Sequence, residues 1–312
     1  MMTFVRVADS GSFTSAAAQL GVSVSAVAKT IARLEEDLKT QLLLRSTRRF
    51  AMTDDGRDYY TRCQQILSDI EDAEASLTQA RASPKGRLRM VLPVLFGRLT
   101  FLPHVAEFHA QYPELMLDVS FDDHPVDLIE RGLDLAVQVG DLNDSRCLTR
   151  VLNRGPRVTA ASPAYLKRHG EPKTPHDLQA HNCVVNNTRT VWSFYDGGKL
   201  IQVPIRGNLF VTGGDALREV ALLGLGIVQS NYWSLRHDLK TGSLKMLLQG
   251  YAVEGAPISI LYPPMRHVPR KVRLMIDFLV EISRLSPEEE AASKQIARST
   301  RNPAGSKAST HA

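Results

Sequence analysis

The side chains of this 312-residue sequence that could do chemistry gather near its N-terminus. Ser23, Ser25, Ala28, Lys29, Ala32 and Arg33 fall within one stretch, 23–38, whose Val27, Ile31, Leu34 and Leu38 step by four, three and four. That spacing is an apolar stripe along an α-helix. At 100° per residue Ser25, Lys29, Ala32 and Arg33 lie opposite the stripe. They are short, or long and cationic, and none blocks close approach to a polyanion. A second group follows in the run 41–53, where Arg45, Ser46, Thr47, Arg48 and Arg49 stand together. Arginines and hydroxyls at that density suit phosphate oxygens and the DNA minor groove.

These side chains need elements to position them. Ser23 stands where an N-cap belongs, and Val22 with Val27 reads as a hydrophobic staple that sets the helix direction. Upstream, Thr14 can cap a short helix over 15–20 that stops at Gly21. Its three consecutive alanines let another helix cross closely. Helix, tight glycine turn and second helix make a helix-turn-helix, whose second helix enters the major groove. An ordinary αα corner shares those features; the basic hairpin-like run after Leu38 favours DNA binding.

The stretches "SGSFTSAAAQLGVSVSAVAKTIARLEEDL" and "LLLRSTRRFAMTDDG" resemble the winged helix-turn-helix of LysR-type transcriptional regulators. The resemblance covers the N-terminal domain and, more loosely, the chain to about 285. It implies a winged helix-turn-helix DNA-binding domain over 1–53, with the helix-turn-helix at about 13–32. A long linker helix for dimerisation over 54–82 follows, then an α/β effector domain over 83–285. That domain would have two lobes like a periplasmic binding protein, the second at about 160–265, with chain crossovers near the middle and near 262–268. Relatives commonly carry Ser and Arg where Ala28 and Lys29 stand, and Gly where Lys39 stands. Lysine cannot make the bidentate fork that arginine makes to guanine.

Length allows roughly two domains. The hydrophobic share of 43% and charged share of 23% are ordinary for a soluble protein, and the net charge of +5 mildly favours a polyanionic partner. Residues 1–53 hold seven cations against four carboxylates, a local net charge of +3. Cys63, Cys147 and Cys183 are far apart, without a CxxC pair, which suits a reducing cytosol. No apolar run approaches the ~20 residues that cross a bilayer, and no signal peptide is evident, so a cytoplasmic location is expected. Phe4, Val7 and Ala8 line a first helix that starts without a cap; the resemblance implies another turn or two before it and an upstream start.

From Thr53 a long helix is expected, with Asp54 and Asp55 at its positive dipole end. Tyr59, Cys63, Ile66, Ile70, Ala73, Leu77 and Ala80 alternate steps of four and three, the seam of a two-helix coiled coil. Ser83-Pro84-Lys85-Gly86 ends it as a hinge. Beyond the hinge, strands at 88–92, 115–121 and 133–139 alternate with helices at 101–112 and 125–131, implying parallel βαβ units. The pattern resumes with segments at 158–161, 163–166 and 183–185. A helix at 215–223, strands at 227–230 and 257–262 and a helix at 270–285 complete it. Two small α/β lobes fit better than one large sheet. Trp192 alternates like a half-buried strand and reads as core, and 286–312 is polar enough to expect disorder.

No GxSxG elbow, HExxH, P-loop or paired CxxC is present, and no cofactor or metal is implied. His104, Glu107 and His109 point to divergent helix faces and read as solvated or capping groups. Asp122-Asp123-His124 reads as a polar loop. In open α/β folds ligands sit beyond the carboxyl ends of strands, at helix N-termini. That places the effector candidates at Val94, Leu95, Phe96, Asp123, Gly140, Gly214 and Asp215, which the resemblance puts along an interlobe cleft. Related proteins often have a hydroxyl side chain where Leu95 stands, so a ligand here is less polar or is held elsewhere.

The sequence therefore reads as a homodimeric or homotetrameric regulator of double-stranded promoter DNA that senses a small molecule. RNA polymerase is a candidate further partner, and no membrane is. An α/β enzyme or a solute-binding protein fused to a DNA-binding domain is the alternative reading.

Overall fold

The computed structural model describes residues 1–44, 51–77, 84–140, 146–187, 189–265, 268–287, 289–291, 293–294 and 296. Helices α1 (Met2–Ser10), α2 (Phe13–Leu20) and α3 (Val24–Leu38) pack around Phe4, Val7, Ala16, Ala17, Val27 and Ile31. Ser12, not Thr14, caps α2: its hydroxyl accepts from the Ser15 amide at 3.4 Å, and Thr14 already lies inside the first turn. Gly21 takes φ 66°, and the Gly21 and Val22 amides return to the Ala18 and Ala17 carbonyls at 3.4 and 3.1 Å. This backbone closure sets the direction of α3. Val22 stays 49% exposed, so the expected staple contributes little. Ser23 caps α3 by accepting from the Ala26 amide at 3.2 Å. Leu38 ends the stripe 40% exposed, because the 15-residue α3 outruns its nine- and eight-residue neighbours.

After α3 the chain turns at Lys39, φ 52°. The Glu35 carboxylate reaches back to accept the Leu42 and Leu43 amides at 2.8 and 3.0 Å. Leu43 then bridges Met52 in antiparallel fashion, and the Leu44 amide donates to Ala51 at 2.9 Å. Both stems of the hairpin-like run are thus paired, while Arg45, Ser46, Thr47, Arg48 and Arg49 lie outside the described residues. Thr53 closes the run: its hydroxyl donates to the Gln41 carbonyl at 2.7 Å and accepts from the Gly56 amide at 2.9 Å. A Cβ on Gly56 would stand 2.0 Å from the Leu42 carbonyl oxygen, so the next helix can start there only with glycine.

That helix, α4 (Asp54–Leu77), divides the expected seam. Tyr59 and Cys63 complete the N-terminal core, with the Tyr59 and Phe4 rings 5.5 Å apart, so Cys63 is a core residue of this domain. Ile66 and Ile70, the next two positions, are each 46% exposed. Ala73, Leu77 and Ala80 lie outside the residues whose side chains are described. Tyr60 donates to Asp9, a second tie between α1 and α4.

The first lobe is built on a sheet of β1 (Gly86–Leu92), β2 (Leu115–Phe121), β3 (Leu135–Val139), β4 (Leu148–Asn153) and β13 (Ile258–Tyr262), in the order β2-β1-β3-β13-β4. The pairs β1–β2 and β1–β3 are parallel; β13 runs antiparallel to β3 and β4. A single turn α5 (Val94–Phe96), the π-helical turn Gly97–Phe101, α6 (Val105–Gln111) and α10 (Arg270–Ile282) pack on it through Phe96, Phe101, Phe108 and Met275. The stretch 125–131, expected as a helix, makes only turns. The Asp127 carboxylate takes the Ile129 and Glu130 amides at 2.9 and 3.0 Å, a local competitor of helical bonding, and Gly132 leaves at φ 59°.

In the second lobe β5 (Pro156–Ala161) is the hub, paired with β10 (Val228–Asn231), β11 (Lys245–Leu247) and β12 (Val253–Glu254), all antiparallel. The parallel arrangement expected here is absent from this sheet, because strand periodicity is the same in either sense and only pairing sets direction. A parallel pair β6 (Val185–Asn186) and β9 (Phe210–Val211) and a hairpin β7 (Val191–Asp196) and β8 (Lys199–Pro204) lie beside it. Helices α7 (Pro163–His169), α8 (Gly214–Leu222) and α9 (Tyr232–Thr241) complete the lobe, and Trp192 is core as expected. The chain crosses between lobes at 153–156 and 254–258, where the Gly255 amide donates to Gly155 at 2.8 Å. The second lobe therefore spans 156–254 rather than 160–265, and the return crossing precedes β13 instead of following it.

Between 287 and 296 the described residues depart from the expected disorder, and 297–312 lie outside the described residues. Residues 287, 289–291, 293–294 and 296 are helical, and Ile296 is buried in the core of the second lobe. Ser286 and Glu289 form a reciprocal cap, each side chain taking the other's amide, at 2.9 and 3.2 Å. Arg236 on α9 pairs with Glu289 at 3.7 Å.

Candidate DNA-reading helix and effector cleft

In α3, Ser23, Ser25, Ala28, Lys29, Ala32 and Arg33 are all exposed, while Val27 and Ile31 are buried. Burial of those two against α1 and α2 sets the rotation of the helix, and so aims the polar residues outward. Lys29 and Arg33 form no ion pair among the described residues, which leaves both charges available. Ser23 and Ser25 hydroxyls lie 3.0 Å apart at the helix start. Fifteen residues make a helix roughly 22 Å long, and a helix diameter of about 10–12 Å fits a major groove about 12 Å wide.

The effector candidates come partly together. Asp123, in the loop after β2, accepts from the Val94 amide at 3.0 Å and holds the start of α5. A Cβ on Gly213 would stand 3.1 Å from Asp123 Oδ2 and 2.9 Å from Asp215 Oδ1, and one on Gly214 would stand 3.3 Å from Leu95 Cδ2. Residues of the first lobe (Val94, Leu95, Asp123) thus meet residues of the second (Gly213, Gly214, Asp215). Gly213 takes φ 96°, a conformation that favours glycine. Phe96 is buried in the first-lobe core, and its ring meets that of Trp233 on α9 edge-on at 6.3 Å. Gly140, at the carboxyl end of β3 beside its parallel neighbour β1, donates to Pro257 at 2.8 Å next to the return crossing.

Two family models match the sequence: a bacterial regulatory helix-turn-helix protein of the lysR family over residues 1–57, and a LysR substrate binding domain over 81–284. The chain belongs to the LysR family of transcriptional regulators. An uncharacterized HTH-type regulator of Haemophilus influenzae is 36% identical over 272 residues, covering 86% of this chain and 94% of the relative. The transcriptional activator TtdR of Escherichia coli K12 is 30% identical over 283 residues, covering 89% and 91%. Among solved structures, the LysR-type regulator CrgA of Neisseria meningitidis superposes with a TM-score of 0.61 at 31% identity, covering 90% of this chain and 97% of that one. LysR-type regulators bind DNA and small-molecule effectors and form oligomers; they are regulators rather than enzymes.

In this LysR-type chain His104, Asp122 and His124 have structural partners. His104 Nδ1 contacts the Thr100 carbonyl at 3.0 Å. Asp122 accepts from the His124 amide at 3.0 Å and meets its ring at 2.8 Å, which holds the Asp122 carboxyl below its ordinary range, the backbone bond first. Among the described residues no group of His, Cys, Asp and Glu is arranged to hold a metal, and no helix is long and apolar enough to cross a membrane. Sequence reasoning missed Glu35, which counted only as charge at the far end of α3 yet anchors the first stem of the wing. No local signal carries that role, since the amides it binds lie past a turn. It also missed Thr30, exposed on α3, whose hydroxyl folds back onto the Ala26 carbonyl at 2.9 Å.

Proposed function

We propose that this LysR-type regulator is a cytoplasmic homodimer or homotetramer that reads promoter half-sites with α3 and answers to a small molecule held near Leu95 and Gly214. The observation that carries the reading is the exposed face of α3: six short or cationic side chains outward, Val27 and Ile31 inward. Ser25, Ala28, Lys29, Ala32 and Arg33 would meet base edges and nearby phosphates, with Ser23 at the helix start. Arg45, Ser46, Thr47, Arg48 and Arg49 would lie on the flanking backbone. The meeting of Leu95 with Gly214 supports an interlobe effector site that is apolar on the first-lobe side, with Asp123 and Asp215 at its edge.

The test separates base reading from backbone contact. Replacing Arg45, Arg48 and Arg49 with Ala should weaken binding to all sequences and lower the log–log salt slope by about 2.7 per DNA-binding domain, 0.9 for each lost phosphate contact. Lys29→Ala should instead change the ranking of operator variants. A salt slope left unchanged by the triple substitution would remove the wing from the interface.

A further inference from the structure

At the end of α8 away from the cleft lies a groove of about 500 Å³, where α7 meets the segments around Asn182, Gly207 and Gly224. Its lining includes Arg168, His169, His181 and Arg206, and no carboxylate. Arg168 spends Nε and Nη2 on carbonyls alone, those of Ala164 at 3.3 Å and Gly224 at 2.8 Å. Arg206 is exposed and makes no ion pair among the described residues. Burial, and then the neighbouring His169, push the His181 imidazole below its usual range against the opposing pull of Asp177, whose carboxylate is already engaged by the Lys173 and Thr174 amides at 2.8 and 2.9 Å. Two guanidinium groups and two imidazoles therefore line the groove with no carboxylate among its lining residues.

The walls are stiff. Asn182 donates its side-chain amide to Leu225 at 2.6 Å, accepts from the Asn208 amide at 3.0 Å, and gives its own backbone amide to the Tyr165 hydroxyl at 2.9 Å. A Cβ on Gly207 would stand 1.8 Å from the Cys183 carbonyl oxygen, so the backbone there has no room for a side chain. The Tyr165 ring stacks on His169 at 4.6 Å, and its hydroxyl meets His181 Nδ1 at 3.3 Å. Arg168, held by its two carbonyl bonds against these walls, loses little freedom on binding, while the exposed Arg206 is free to close on a ligand.

We propose that the groove is a second ligand site and takes a small molecule bearing a phosphate-type oxyanion. Planar guanidinium donors match the paired oxygens of such a group, and the His169 imidazole, stacked on Tyr165, adds a ring N–H donor. Arg168 also grips Gly224, just past α8, while the first residue of α8, Gly214, lies against Leu95. Nine residues of helix, about 14 Å, join the two places. Occupation of the groove is thereby transmitted to the cleft; this coupling rests on the cleft reading above, whereas the site itself does not.

The test is calorimetric titration of the full chain with sodium pyrophosphate at constant ionic strength. Saturable one-to-one binding is expected, weakened about tenfold in Arg206→Ala, less in Arg206→Lys, and unchanged in Arg98→Ala on the first lobe. Citrate and a short DNA duplex serve as competitors, and pyrophosphate should outrank both. Heat that never saturates, equal affinity in Arg206→Ala with its thermal transition intact, or preference for the duplex would each overturn the site. Hydrogen exchange at amides 213–215 reads the coupling separately: slower exchange on pyrophosphate binding is expected, and saturable binding with no change there would refute the coupling alone.

Discussion

Glu35→Ala offers a sharp test of how the DNA-binding domain is held together. One carboxylate oxygen accepts both the Leu42 and the Leu43 amides, at 2.8 and 3.0 Å, and both leucines are buried. A hydrogen bond to a charged group is worth about 1.5–3 kcal/mol, and a buried amide left without a partner costs about 1–3 kcal/mol. Water can reach part of this site, so the two bonds together should stabilise the first wing stem by about 2–4 kcal/mol. Global unfolding of a chain with several cores is not a two-state measurement. Hydrogen exchange is better, read on a peptide covering 41–44. The expected acceleration at Leu42 and Leu43 is about thirtyfold to a thousandfold, since 1.4 kcal/mol is a factor of ten. Glu35→Gln keeps an acceptor oxygen but loses the charge, so its effect should be nearer tenfold. Exchange at those two amides unchanged in Glu35→Ala would mean that the stem is held by its Met52 pairing alone.

Two more outcomes follow from the backbone and from exposed apolar surface. Lys39 ends α3 at φ 52°, a conformation that costs an L-residue about 1 kcal/mol, so Lys39→Gly should slow hydrogen exchange in the last turn of α3 by about fivefold; no slowing would show that lysine meets no strain there. Ile66→Glu combined with Ile70→Glu places charge on two half-exposed isoleucines of α4 and should shift sedimentation toward monomer and reduce affinity for paired half-sites. Sedimentation and DNA binding both unaltered would exclude this stretch of α4 as a contact between copies.

Local chemistry made much of this protein legible in its sequence. The stripe of Val27 and Ile31 and the cap at Ser23 define α3 and its outward face, because helical periodicity and capping depend on residues within a few positions. The same reasoning erred where two local signals competed: Ser12 displaced Thr14 as a cap, and the Asp127 turn displaced a helix. At the C-terminal side spacing and composition pointed in opposite directions. Ser286-Pro287-Glu288-Glu289 is a helix start by its spacing, and its charge alone suggested disorder. What tertiary structure decided is the set of contacts between residues far apart in the chain. The antiparallel hub at β5, the return crossing before β13, Phe96 turned into the core and Leu95 laid against Gly214 all depend on which strand or loop arrives as neighbour. Alternation of apolar and polar residues is the same for either strand direction and for either partner, so no stretch of the sequence carries that choice by itself.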